Sequence, residues 1–178
     1  MKQLRDTDIK RLMRAYRRNH PPRHDIVALL QSVEYPANVG SIFRIADAMD
    51  LTELVLTGIT PDPTVGTAHK VARGKEARLP WRRVATPAEA LADLKADGYQ
   101  AIAIEIADSA VPFNEYEYPE RVCLVVGHED HGVTNQTLSL CDGAVYIPML
   151  GKGRSLNVHV SLAIVCAHLR FGAACAAG

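Results

Sequence analysis

The strongest constraint on the fold is an alternation between short apolar runs and segments with helical periodicity. Asp25–Gln31, Glu53–Thr57 and Arg121–Val126 are apolar almost from end to end. Strands that are buried on both faces have this composition, whereas strands with one wet face alternate polar and apolar residues. Strands that alternate with helices along a chain form parallel sheets. The sequence therefore predicts an α/β fold, with a mostly parallel sheet that helices cover on both faces.

The same patterns predict the remaining elements. Strands are predicted at 82–85, 100–106 and 144–147, and helices at 7–18, 38–49, 67–75, 86–96, 135–140 and 156–171. Thr86, Pro87 and Glu89 have the order of a helix start, with a capping hydroxyl, a proline and an acid. Ser155 occupies the capping position of the last predicted helix. The apolar residues of that helix lie nearly all round, which favours a subunit interface.

Size and composition are typical of one globular domain. The 178 residues have a mass of 19.4 kDa and are 48% hydrophobic and 22% charged, which excludes a disordered, collagen-like or disulfide-dense chain. We expect a basic N-terminal arm at 1–24, a domain at 25–174 and a tail at 175–178. No apolar run reaches the ~18 residues of a membrane helix, and the N-terminus is too charged for a signal peptide. We therefore expect no membrane partner and a cytoplasmic protein.

Charge is clustered, although the formal net charge is zero. Residues 1–25 hold eight Lys or Arg against three Asp, and residues 70–83 hold six against one, whereas residues 89–130 hold ten acids against two bases. Two basic blocks that meet in the fold would form a positive surface for phosphate. Solvated helix faces are the alternative.

The first predicted helix is amphipathic. Its apolar residues follow helical spacing at Ile9, Leu12, Met13 and Tyr16, and its basic residues lie largely off that stripe. We expect the stripe to dock on the domain and the basic side to face solvent.

The cysteines and histidines do not suggest a metal site. Cys123, Cys141, Cys166 and Cys175 have no CxxC spacing and lie in or near apolar runs, which predicts reduced and mostly buried thiols. Two histidines flank Glu129, but the spacing is not HExxH and no third ligand is evident. We expect no metal.

Three segments place glycine and polar residues where predicted strands end, and open α/β sheets bind ligands at that edge. The segments are residues 34–47, 124–133 and 147–158. In the first, Arg44 lies in an otherwise apolar helix, where burial is costly unless the guanidinium meets an anion or pairs with a nearby Asp. In the third, the glycines and bases lack the upstream glycine of a P-loop.

Together these segments resemble the three motifs of the SpoU/TrmH group of the SPOUT methyltransferase superfamily. In order over about 26–171, they read Asn38-x-Gly40-x-x-x-Arg44-x-Ala46, Leu124-Val125-Val126-Gly127-x-Glu129-x-x-Gly132, and Ile147-Pro148-Met149 through Ser155-Leu156-Asn157-Val158. His159 and Val133 stand where serine and leucine are commoner, and we expect neither to touch the chemistry. The resemblance implies a C-terminal deep trefoil knot, an exception to the rule against knots. It also implies a homodimer, S-adenosylmethionine bound in the knot, and 2′-O-methylation of an RNA ribose.

The resemblance further implies roles for individual residues. The implied catalytic residues are Arg44, Asn38, Glu129, Ser155 and Asn157. The implied cofactor-binding residues are Ile104, Gly127, Ile147 and Leu156. Because a guanidinium stays protonated in proteins, we expect Arg44 to grip the adjacent phosphate and stabilise developing alkoxide charge rather than act as the base.

The basic residues predict a positive track for RNA, since phosphate contacts dominate affinity. The candidates are Arg11, Arg14, Arg17, Arg18, Lys70, Arg73, Lys75, Lys152 and Arg154. Trp81 and Tyr35 are candidates for stacking on bases, with a place in the core as the alternative for Trp81. The short basic arm favours tRNA over rRNA as the substrate.

Two other functions stay open. One is a knotted module that binds RNA or cofactor without turnover. The other is a dinucleotide-binding oxidoreductase, which the absence of GxGxxG after the first strand disfavours.

Overall fold

The chain forms seven strands and six helices within residues 2–172, the part that the computed structural model of the protein describes. The strands are β1 (Asp25–Gln31), β2 (Glu53–Thr57), β3 (Trp81–Val84), β4 (Gln100–Ile104), β5 (Val111–Pro112), β6 (Arg121–Val126) and β7 (Gly143–Tyr146). The helices are α1 (Asp6–Asn19), α2 (Pro36–Ala48), α3 (Gly66–Ala72), α4 (Pro87–Ala96), α5 (Asn135–Leu138) and α6 (Val158–Phe171). The predicted tail at 175–178 and Cys175 lie outside the described residues.

All seven strands are parallel and form one sheet in the order β3-β2-β1-β6-β4-β7-β5. Alternate residues of β1 enter different hydrophobic clusters. Ile26 and Leu30 pack in the cluster that includes α2, α3 and α6, whereas Val27 and Leu29 pack in the cluster that includes α4. The central strands are thus buried on both faces, which confirms the predicted α/β fold.

Most of the predicted elements are confirmed, with ends that shift by a few residues. β1, β2 and β6 have the predicted bounds, and Thr86 caps α4 by accepting the N–H of Glu89. The strand predicted at 100–106 ends at Ile104. β5 is not predicted, because two residues carry no periodicity, and its Pro112 lies on an edge strand, where a missing N–H is tolerated.

The last helix begins later than predicted. α6 starts at Val158, and Asn157 caps it by accepting the N–H of His159 at 3.3 Å. The prediction that Ser155 is the cap is therefore wrong. Ser155 and Leu156 belong instead to the loop of residues 147–157, which we call the 147–157 loop.

The apolar stripe of α1 is not buried. Leu12 and Met13 are about half exposed, and no residue of this helix is buried. Tyr16 meets the ring of Phe171 in α6 edge to face, with 6.3 Å between the ring centroids. The expectation that the stripe docks on the domain is thus wrong for the described chain. Within residues 2–172, no helix is long and apolar enough to cross a membrane.

Candidate active site

A pocket of about 560 Å³ opens at the carboxyl edge of the sheet, where the ends of β4 and β6, the start of α2 and the 147–157 loop meet. This edge is where open α/β sheets bind ligands. The pocket brings together most of the residues that the sequence predicts for catalysis and cofactor binding. Those on its wall are Asn38, Ile104, Gly127, Glu129, Ile147, Ser155, Leu156 and Asn157, with Arg154 from the RNA-binding set.

The turn that follows β6 is closed by hydrogen bonds within its own backbone and is bound to the end of β4 by a side chain. His128 and Gly132 exchange two backbone hydrogen bonds, at 3.1 and 2.8 Å. A Cβ atom at Gly127 would collide with the backbone of Gly132, so only glycine fits there. Glu105, just after β4, accepts the N–H of Val133 at 2.8 Å. No signal in the sequence singled out Glu105, because the pair forms only when β4 and the turn meet in the fold.

Glu129 joins this turn to the start of α2. Its carboxylate accepts hydrogen bonds from Asn38 Nδ2 at 2.6 Å, from the N–H of Tyr35 at 3.1 Å and from the N–H of Glu34 at 2.9 Å. Burial by itself would raise the pKa of Glu129, but these hydrogen bonds outweigh it and hold the pKa below its ordinary value. An ionised carboxylate only accepts hydrogen bonds. Glu129 therefore fixes which way the amide of Asn38 points.

His159 touches the predicted catalytic set, contrary to expectation. Its Nδ1 lies 3.1 Å from Asn38 Oδ1. Burial lowers the pKa of His159 below its ordinary value. The sequence gives no sign of this contact, since the two residues are 121 positions apart.

Arg44 is not on the wall of this pocket. It is exposed, and within residues 2–172 it forms no ion pair. The guanidinium is therefore neither buried against an anion nor paired with an Asp, the two environments considered from the sequence. On α2 it lies between Gly40, which packs against Ala68 of α3, and Asp47, which pairs with Lys75 at 2.7 Å. Residues spaced in this way share one helix face. Arg44 therefore lies on the side of α2 next to α3 and does not line the pocket with the other predicted catalytic residues.

The predicted RNA-binding residues form three groups. Arg154 and Lys152 lie in the exposed 147–157 loop, and Lys70 and Arg73 are exposed on and beside α3. Lys75 is partly occupied by its pairing with Asp47. On α1, the exposed residues are Arg11, which pairs with Asp8 at 2.8 Å, together with Arg14, Arg17 and Arg18.

The two candidate stacking residues have different environments. Trp81 packs edge to face on Phe43, with 6.3 Å between the ring centroids, and its Nε1 donates to the carbonyl of Glu76 at 3.1 Å. It is half-buried and anchored to the core, which favours the core interpretation. Tyr35 is 49% exposed and lies on the pocket wall, where a base can reach it.

The described part of the chain holds no candidate metal cluster. Within residues 2–172, no group of three or more His, Cys, Asp or Glu is placed to hold a metal ion. Cys123, Cys141 and Cys166 are free thiols. Burial raises the pKa of each of them, so these thiols stay protonated at neutral pH. Cys123 and Cys166 are buried and Cys141 is partly buried, in agreement with the prediction of mostly buried thiols.

Comparison with known proteins identifies the family. Residues 25–167 match the SpoU rRNA Methylase family. The chain belongs to this family. Like the motif resemblance, the match spans β1 to α6 and includes every element of the pocket wall.

Relatives of this SpoU family chain include enzymes named for tRNA. It is 33% identical over 141 residues to the tRNA (guanosine(18)-2′-O)-methyltransferase of Escherichia coli K12, covering 79% of this chain and 61% of that protein. It is 31% identical over 165 residues to the Thermus thermophilus protein of the same name, covering 93% of this chain and 82% of that one. The chain thus spans about three fifths of the length of the E. coli relative.

Solved structures share the fold. The AdoMet-bound rRNA methyltransferase from Sinorhizobium meliloti superposes with a TM-score of 0.78 at 26% identity, covering 85% of this chain and 57% of that one.

Proposed function

We propose that the chain is an S-adenosylmethionine-dependent RNA (ribose-2′-O)-methyltransferase. The observation that carries this proposal is the single pocket in which the polar residues Asn38, Glu129 and Asn157 meet the backbone of Gly127 and the apolar side chain of Leu156. The family supports it, since named relatives of similar sequence are RNA 2′-O-methyltransferases and a structural neighbour is AdoMet-bound.

The residues of the pocket fit the cofactor. Its volume of about 560 Å³ is in the range of small-molecule sites. The glycine at 127 leaves backbone groups open to a ligand, and Ile104, Ile147 and Leu156 supply an apolar surface for an adenine ring. S-adenosylmethionine supplies a methyl group on a sulfonium, which is an activated electrophile.

The chain's own residues have two tasks in the reaction. With the cofactor bound, methyl transfer would form the bond from ribose O2′ to the methyl carbon as the carbon–sulfur bond breaks, with the electron pair left on sulfur and the hydroxyl proton lost to solvent. A ribose hydroxyl is a weak nucleophile, so it must be held in line and its proton loss favoured. Asn38, Ser155 and Asn157 offer hydrogen bonds that orient the sugar, and Arg154 offers a charge to the adjacent phosphate.

We assign Arg44 to the pocket of a second subunit. It is exposed and does not line the pocket of its own chain, and a homodimer would bring it to the substrate of the partner subunit. In that position Arg44 would grip a phosphate and stabilise the developing alkoxide. The exposed apolar residues of α1 and Phe171 of α6 support a dimer, since a second copy would cover them.

We also propose the deep trefoil knot at the C-terminal end. β7 pairs with β4 and β5 at one side of the sheet, whereas α6 packs back on α2, and Arg170 donates to the carbonyls of His24 and Met49 at 2.6 Å. The chain must therefore return across the pocket edge between β7 and α6, close to the turn after β6. This path supports a knot.

The proposed substrate is tRNA, with rRNA as the alternative, and the proposed compartment is the cytoplasm. The exposed basic residues of α1 lie outside the pocket and extend the charged surface that a folded RNA can contact. Free thiols at Cys123, Cys141 and Cys166 support a reducing compartment.

Transfer of a labelled methyl group tests the proposal. The protein is incubated with labelled S-adenosylmethionine and either bulk tRNA or bulk rRNA, and the modified nucleotide is mapped. We expect label on a ribose 2′ oxygen of tRNA. Binding of cofactor and RNA without transfer would favour the non-catalytic module, and no cofactor binding would refute the proposal. Arg44→Lys should keep measurable turnover; complete loss with intact RNA binding would contradict simple charge stabilisation.

A further inference from the structure

His159 contacts Asn38, but none of the roles assigned above belongs to His159. We propose that His159 is a positioning residue that holds the amide of Asn38 through a hydrogen-bond relay from Glu129 through Asn38 to His159. The inference rests on the proposed function, because Asn38 is one of the residues to which we assign the ribose. It concerns a position to which the family resemblance assigns no role.

The direction of each hydrogen bond in the relay follows from Glu129. Its carboxylate only accepts, so Asn38 must turn its Nδ2 group toward Glu129, at 2.6 Å. Asn38 Oδ1 then faces His159 Nδ1, at 3.1 Å, and an amide oxygen only accepts. The proton of a neutral imidazole must therefore lie on Nδ1, which leaves Nε2 bare. The lowered pKa of His159 agrees, since it keeps the ring neutral at neutral pH.

The relay ties together three elements of the pocket wall. It joins the turn after β6, the start of α2 and the first turn of α6. His159 also donates its backbone N–H to Asn157 Oδ1 at 3.3 Å, so this one residue contacts both pocket amides, Asn38 and Asn157. Within residues 2–172, the second hydrogen of Asn38 Nδ2 has no partner, and Asn38 lies on the pocket wall. That hydrogen is the one available to a ribose oxygen.

Removing the ring would leave Asn38 Oδ1 without a donor. Asn38 is only 6% exposed, so water has little access to replace the lost hydrogen bond. An unpaired acceptor at a buried site is costly, and the amide would tilt about its hydrogen bond to Glu129 to find a new partner. The hydrogen offered to the ribose would turn with it. We expect this change to affect the rate of methyl transfer rather than the binding of cofactor or RNA.

A matched pair of amides tests the relay. His159→Asn places an amide N–H near the position of Nδ1, whereas His159→Gln places it near Nε2, out of reach of Asn38. His159→Gln and His159→Leu should lower kcat about tenfold, with KM for cofactor and RNA within about twofold of wild type. His159→Asn should keep kcat within about threefold of wild type. Equal kcat in all variants, or an Asn variant as impaired as the Leu variant, would overturn the proposal.

Nitrogen-15 NMR of histidine in the wild-type protein tests the relay without activity. We expect the His159 ring to be protonated on Nδ1 and bare on Nε2 at neutral pH, and to lose this preference in Asn38→Ala. The opposite tautomer in the wild type would refute the proposed direction of the relay. If the wild-type protein binds cofactor but transfers no methyl group, the proposed function fails, and this spectrum still decides whether His159 donates to Asn38.

Discussion

The two sides of the candidate pocket are built differently. On one side, hydrogen bonds of 2.6 to 3.1 Å join the turn after β6 to the start of α2 through Glu129 and Asn38, to the end of β4 through Glu105, and the start of α2 to α6 through His159. We call this side the fixed wall. On the other side, residues 147–156 make no hydrogen bond to any residue within 2–172, and the side chain of Leu150 is fully exposed. We call this side the open wall.

The two walls suit different functions, orientation of the reacting groups and closure around the ligands. The fixed wall is already in place before any ligand arrives, which suits the orientation of reacting groups. Segments with few buried contacts and exposed backbone open at low cost in free energy. We therefore expect the open wall to take its final form around the cofactor and RNA, with Ser155, Leu156 and Arg154 moving together.

Glycine substitutions should destabilise the fixed wall and leave the open wall almost unchanged, and this is the largest effect we expect. Gly127→Ala forces a Cβ atom into the backbone of Gly132, whereas a Cβ atom at Gly151 meets no atom within 4 Å. Gly127→Ala should lower the free energy of unfolding by about 1–3 kcal/mol and weaken cofactor affinity, because the turn that lines the pocket must shift. Urea unfolding and calorimetry measure the two quantities.

Gly151→Ala is the matched control for the open wall. We expect its free energy of unfolding to stay within about 0.5 kcal/mol of wild type. Equal losses of stability at Gly127 and Gly151 would mean that the two walls are equally tightly packed, against the account.

Basic residues of the open wall should set RNA affinity and its salt dependence. Each phosphate contact contributes about one unit to the slope of log affinity against log salt. Lys152→Ala and Arg154→Ala should each weaken RNA binding about threefold and lower that slope by about one, with no change in cofactor affinity. Filter binding between low and high salt measures this. A wild-type affinity that does not change with salt would show that basic residues of the open wall do not contact RNA phosphates.

Acid should weaken the fixed wall through Glu129. A carboxyl group whose pKa is lowered in the folded state stabilises the fold above its unfolded value, here 4.5, and loses that contribution as pH falls through the lowered folded value. The stability difference between wild type and Glu129→Gln should therefore be largest near neutral pH and shrink below about pH 4.5. Other carboxyl groups are common to both proteins and cancel. A stability difference that stays constant from pH 7 to about pH 3.5 would show that the charge of Glu129 does not stabilise the fold.

The sequence predicts local structure well, for clear physical reasons. β1, β2 and β6 are buried on both faces, so their continuous apolar runs mark their bounds directly. The cap at Thr86 is a contact between residues three apart, and such contacts are visible in the sequence. Of the nine catalytic and cofactor-binding residues that the motif resemblance implies, eight line the pocket, and Arg44 is the exception.

What the sequence missed depends on contacts between distant segments. The pairing of His159 with Asn38 and that of Glu105 with Val133 form only after the sheet brings β4, β6, α2 and α6 together. Ser155 and Asn157 are equally good capping residues, and the path of the loop decides between them. The apolar stripe of α1 predicted a buried face, but periodicity does not say whether the same chain covers that face.

Hydrogen–deuterium exchange with and without S-adenosylmethionine tests the account of the two walls most directly. We predict that the backbone amides of residues 149–156 exchange fast in the free protein and at least about tenfold more slowly with cofactor bound, while the hydrogen-bonded amides of His128, Gly132 and Val133 exchange slowly in both states. Slow exchange at 149–156 before cofactor is added, or fast exchange at these three amides, would contradict the difference between the two walls.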